Sequence, residues 1–184
     1  MRKLSLWRRL CYAEPMRSLP LLLAAVFSTP MAAQLRSVEL SFTGIECASC
    51  VDSLPARIQR LRGVESAKVD AARQILTVKL AEQNRVRLEQ MRDAIEQDGS
   101  KVQEATLTVA GLLIEAAPPG SGRWLLQLPG GSSQFEVSLD GAPPSAQYAL
   151  KPGRAAVVTG TIGNLRPSAG AMTIAVKSIE AVDR

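Results

Sequence analysis

The 184-residue chain contains no histidine. That absence removes imidazole-based zinc sites, the Ser-His-Asp and Cys-His ways of activating a nucleophile, and the usual general base at neutral pH, so the sequence points away from an enzyme. A membrane span is not expected either, an uncleaved anchor being the less favoured alternative: the longest apolar run, Leu19 to Phe27, includes Pro20 and is well short of the ~20 residues that a crossing helix needs. Stable membrane insertion is not expected. Cysteine is rare, with only Cys11, Cys47 and Cys50. Aromatic residues are rare too, and residues 105–184 hold only Trp124, Phe135 and Tyr148 beside six basic and five acidic residues. A strand-binding nucleic-acid surface combines stacked rings with a basic groove, so no nucleic-acid partner is expected. The formal charge of +5 pulls the other way, but Arg2, Lys3, Arg8, Arg9 and Arg17 stand against Glu14 alone in the first 33 residues. Residues 34–184 have 17 basic and 16 acidic side chains, a net +1, and the electrostatic case for a polyanion partner disappears with the leader.

That leader reads as a secretory signal peptide over residues 1–33. Met16-Arg17-Ser18 precedes the apolar run, and Met31-Ala32-Ala33 before Gln34 supplies the cleavage region. Met16 is a candidate true start. The expected mature protein is therefore exported, to the periplasm, and keeps Cys47 and Cys50 alone in an oxidising compartment.

Composition then divides the remainder near residue 105. Positions 34–104 have three glycines and one proline, whereas 105–184 have ten and seven. In the first part, Val38, Leu40 and Phe42 alternate with polar residues as in a half-buried strand. Val51, Leu54, Ile58 and Leu61 make a helical stripe, with Pro55 either starting the regular helix behind a Ser53 cap or kinking it. Strands are expected at Ser66 to Val69 and Ile75 to Leu80. A second helix buries Leu88, Met91 and Ile95 behind an Asn84 cap, and a last strand runs from Lys101 to Leu107. The order βαββαβ predicts an α+β, ferredoxin-like sandwich over 34–105. Residues 106–184 show strand-like runs at Leu107 to Ala116, Arg123 to Leu128, Gln134 to Leu139, Ala155 to Leu165 and Ala171 to Val182. A short helix within Ala142 to Leu150 falls between the third and fourth. With Gly111 and Gly160 as strand bends, this resembles a small all-β, OB-like barrel, and a small β-sandwich is the competing architecture.

The chemistry sits in Gly44-Ile45-Glu46-Cys47-Ala48-Ser49-Cys50, between a strand end and a helix start. Two thiols two residues apart at a helix N-terminus meet unpaired backbone N–H groups and the positive end of the helix dipole, which favour thiolates. Thiolates select copper(I), silver(I), mercury(II), zinc(II) or cadmium(II) over hard ions. Without histidine, and with Met91 committed to a helix face, the domain offers little beyond the two sulfurs, which suits a low coordination number.

Residues 36–105 resemble the heavy-metal-associated domain, the ferredoxin-like module of copper chaperones, of metal-exporting P-type ATPases and of the periplasmic mercury-binding protein. The resemblance rests on Gly44-x-x-Cys47-x-x-Cys50, on Gly63-Val64-Glu65-Ser66 and on the element order. It implies Cys47 and Cys50 as ligands to one soft ion, copper(I) or mercury(II) before zinc(II) or cadmium(II). It also implies a metal donor or acceptor protein as partner, and Ile45 in the place of a loop-anchoring methionine. Two positions depart from the family pattern. Ser100 stands where Tyr, Phe or Lys commonly packs on the metal loop, with Lys101 one position later. Glu46 replaces the threonine typical of copper domains and resembles a third, oxygen ligand of zinc, cadmium and lead domains; a solvated loop charge is the alternative for it. Two other readings compete with metal carriage, a periplasmic thiol-disulfide protein and an inert disulfide-bonded interaction module. The first is weakened because Pro55 is the domain's only proline, so no cis-proline can flank the pair.

Overall fold

The computed structural model describes residues 34–44, 48–97, 99–128, 134–166 and 170–182. The leader, including Cys11 and the expected cleavage region, lies outside them, as do Ile45, Glu46 and Cys47.

Alternation places Val38, Leu40 and Phe42 on the buried face of β1 (Leu35–Thr43). Its edges pair with β3 (Ile75–Leu80) on one side and β4 (Lys101–Glu115) on the other, and β3 pairs in turn with β2 (Val64–Asp70). All of these pairings are antiparallel. Two helices cover one face: α1 (Ala48–Gln59), which buries Leu54 and Ile58, and α2 (Leu88–Glu96), which buries Leu88, Met91, Ala94 and Ile95. The sheet order β2-β3-β1-β4 with this helical layer is the expected ferredoxin-like lobe.

Of the two readings for Pro55, the start behind a Ser53 cap is not the one adopted, and the α2 start also differs from the sequence expectation. Helix α1 begins at Ala48 and runs through Pro55. Ser53 is no cap, since its Oγ donates back to the Cys50 carbonyl at 2.9 Å. Helix α2 begins at Leu88 with Arg87 at the N-cap position, where the Arg87 amide donates to Gln90 Oε1 at 2.9 Å. Asn84 anchors the preceding loop instead, its Nδ2 donating to the carbonyls of Leu35 at 2.8 Å and Ala81 at 2.7 Å.

The strands expected at Lys101 to Leu107 and Leu107 to Ala116 are one 15-residue strand, β4. No turn residue interrupts the apolar alternation between them, and the division near residue 105 falls inside this strand. The first part of β4 pairs with β1; the far edge, from Ala105 to Leu112, pairs with β7 (Ala155–Ile162), and Leu112 to Glu115 pairs with β5 (Trp124–Gln127). Strand β5 continues to β6 (Gln134–Ser138), β6 to β8 (Met172–Ala181) in parallel, and β8 back to β7, which closes a five-stranded ring. Helix α3 (Pro144–Ala149) lies between the third and fourth ring strands, inside the expected window. The second lobe is thus a five-stranded barrel, its sheet closed on itself where a sandwich would keep two separate sheets. Gly160 sits at a register shift between β7 and β8, where an added Cβ would lie 2.5 Å from Ile174 Cγ2. The close approach therefore requires glycine there. One apolar core runs through both lobes, from Leu54 and Met91 to Phe135 and Ile174. Among the described residues, no helix is long and apolar enough to cross a membrane.

Candidate metal centre

Strand β1 delivers the chain to Gly44, whose φ of +87° turns it out of the sheet. The start of the loop rests on the junction between α2 and β4: a Cβ on Gly44 would lie 3.6 Å from Ser100 Cα and 3.7 Å from the Gly99 carbonyl oxygen. Ser100 is 3% exposed, and its hydroxyl donates to the Ile95 carbonyl at the end of α2. The residue that departs from the family pattern thus ties off a helix and floors the loop. Lys101 is the register partner of Thr43, the last residue of β1, and is exposed. Thr43 Oγ1 accepts from Gln103 Nε2 at 3.0 Å, which ties the loop's root to β4 a second time.

Beyond the loop, Cys50 lies in the first turn of α1, half-buried, with its carbonyl held by Ser53. That turn contains no acidic residue, so nothing in it offsets the positive end of the helix dipole. Cys47 and Glu46 fall in the loop outside the described residues. Among the described residues no group of three or more Cys, Asp or Glu side chains forms a metal cage.

A second set of residues braces this end of the lobe. Arg92 Nη1 donates to the Leu165 carbonyl at 2.7 Å, reaching from α2 to the connection that follows β7. Glu96 Oε2 is ion-paired with Arg166 of the same connection, and its Oε1 accepts the Val102 amide at 3.4 Å. The α2 end that supports Gly44 is therefore pinned by the barrel. The sequence shows only an Arg92-Glu96 spacing of i,i+4 here; the partners lie 70 and 73 residues away. The barrel's rings are distributed as structural residues: Phe135 is buried, Trp124 is half-buried in β5, and Tyr148 stands 82% exposed on α3.

No curated protein matches the chain. Among solved structures, the CopZ metallochaperone is 29% identical over 36% of this chain and 97% of its own, at a TM-score of 0.33. A copper binding domain from the P-type ATPase HMA7 is 28% identical, over 39% and 92%, at 0.33. The N-terminal domain of PacS from Synechocystis PCC6803 is 25% identical, over 37% and 94%, at 0.31. Residues 39–101, the stretch from β1 to the first residue of β4, match the family model of the heavy-metal-associated domain.

Proposed function

We propose that the protein is an exported, non-catalytic carrier that takes one soft ion, copper(I) or mercury(II), onto Cys47 and Cys50 and passes it to a partner protein. The observation that carries this reading is the position of Cys50 in the first turn of α1, directly after a loop whose root is clamped between β1 and the Gly99-Ser100 junction. A base braced on both sides of the cysteine segment lets the two sulfurs take one ion without reorganising the fold, which lowers the cost of binding. Transfer proceeds by ligand exchange: a partner thiolate bonds to the ion while one of the two cysteine sulfurs leaves, so coordination number is conserved across the step. The brace from Arg92 and Glu96 to the barrel makes the barrel a fixed support for the metal-carrying lobe, suited to docking or spacing.

Titration of the reduced protein is expected to reach one ion per chain and to lose that ion in Cys47→Ser and Cys50→Ser. Unchanged binding by the double serine variant would end the proposal. A thiol-disulfide function would instead show turnover in an insulin-reduction assay, which metal carriage does not predict.

A further inference from the structure

Charge is nearly balanced beyond residue 33, yet the arginines are not evenly spread. At the end of the first lobe away from the cysteine loop, the turn after α1 and the connection between β3 and α2 enclose an open cleft of about 460 Å³. Arg62 contributes from one segment and Arg85 from the other. Both are exposed, and neither is ion-paired among the described residues. Two neutral amides, Gln83 and Gln90, line the same cleft, and no acidic residue does. Gln90 Oε1 is already engaged by the Arg87 amide, so its remaining hydrogen-bonding end is an NH₂ donor.

The walls are fixed before any ligand arrives. Asn84 holds the connection by donating to Leu35 and Ala81, while its own amide donates to Gln34 Oε1 at 3.0 Å and its Oδ1 accepts from Val86 N at 3.3 Å. The two walls meet at Gly63, where an added Cβ would come within 2.7 Å of Asn84 Cβ. Two arginines on anchored segments, with amide donors in the same lining and no carboxylate among the lining residues, supply the donor chemistry that oxyanions recognise.

We propose that this cleft binds a phosphate-type oxyanion, carried by a free phosphate compound or by a phospholipid headgroup. The site is independent of the cysteine pair, so ligand binding here and ion binding there are separable. Its test is calorimetric titration of the protein with sodium pyrophosphate, alongside co-sedimentation with phosphatidylcholine vesicles with and without phosphatidylglycerol. Pyrophosphate is expected to bind at submillimolar concentration, with affinity falling as salt rises, and to lose at least tenfold in Arg62→Gln/Arg85→Gln. A control that removes equal charge from the barrel, Lys151→Gln/Lys177→Gln, keeps the affinity. Vesicle binding that needs phosphatidylglycerol and both arginines, without pyrophosphate binding, assigns the headgroup as source. No binding to either probe, undiminished binding by the arginine variant, or equal loss in both double variants overturns the proposal. Far-UV circular dichroism of each variant matching the parent ensures that a lost site is not a lost fold.

Discussion

Glu96, on the last turn of α2, is ion-paired with Arg166, which follows β7 in the barrel. The pair crosses between the lobes, but its two ends differ: the Glu96 side chain is 15% exposed and Arg166 68%. Solvent screens such a pair, so Arg166→Ala is expected to cost no more than about 1 kcal/mol in urea unfolding. Arg92 is the stronger tie, because its guanidinium satisfies the carbonyl of buried Leu165 at 2.7 Å. Arg92→Ala leaves that carbonyl without its donor and is expected to cost about 1–3 kcal/mol. Equal, negligible losses in both variants would show that the lobes are held by their shared strand alone.

Gly44 gives a separate test of the loop's base. A methyl group there meets Ser100 Cα at an ordinary contact distance of 3.6 Å, so space does not forbid it; the φ of +87° does. Gly44→Ala is therefore expected to cost about 1–2 kcal/mol from backbone strain, the usual penalty for an L-residue in left-handed conformation. If the loop relieves that strain by shifting the cysteines, ion affinity falls as well. Gly99→Ala, whose φ is +83° with nothing within 4 Å of the added carbon, imposes the same strain at the other side of the junction. Loss of ion binding in Gly44→Ala, with retention in Gly99→Ala, separates loop positioning from general destabilisation.

Much of this architecture is legible from periodicity. The alternation of Val38, Leu40 and Phe42 and the stripe of Leu88, Met91 and Ile95 each bury the residues they select, because a side-chain period of 2 or 3.6 leaves little choice of face. Turn-rich spacing likewise locates every ring strand and α3. The helix starts are less legible, since Ser53 and Asn84 have side chains suited to capping but spend them on the Cys50 carbonyl and on the loop anchor. A capping residue announces only that it will bond to nearby backbone, and not which backbone. The continuity of β4 is hidden for another reason: Thr106, Leu107 and Thr108 carry one alternation across the change of composition, so a single strand can serve two lobes. As for the site, the cysteine spacing is plain in the sequence, while the supports under it are long-range contacts with no local signature.

The shared strand has a measurable consequence. Cutting the chain after Ala105 removes four of the eight β1 to β4 register pairs, those of Leu35, Ser37, Val38 and Glu39 with Val109, Thr108, Leu107 and Thr106. It also removes Leu107 and Val109, both fully buried. Each large apolar side chain lost from a core costs about 2–4 kcal/mol, which approaches the whole stability of a domain this size. A fragment of residues 34–110 is therefore expected to unfold cooperatively at a higher temperature than one of residues 34–105. Matching transitions for the two would mean that the first lobe does not depend on the second half of its own edge.

Glu46 allows the identity of the ion to be tested. A carboxylate beside two thiolates supplies negative charge and an oxygen ligand, which an ion seeking four ligands uses and a two-coordinate ion such as copper(I) or mercury(II) does not need. Glu46→Thr is accordingly expected to weaken zinc(II) or cadmium(II) binding by roughly tenfold, about 1.4 kcal/mol, while copper(I) and mercury(II) affinities stay within a few fold. Two sulfurs and one oxygen still leave zinc short of its tetrahedral four, and the chain has no histidine to complete the set. Competition among the four ions in parent and variant reads both effects at once. A loss shared equally by all of them would make Glu46 a residue that shapes the loop or its field, and no loss for any would make it a solvated charge, with the selectivity then resting on the two sulfurs.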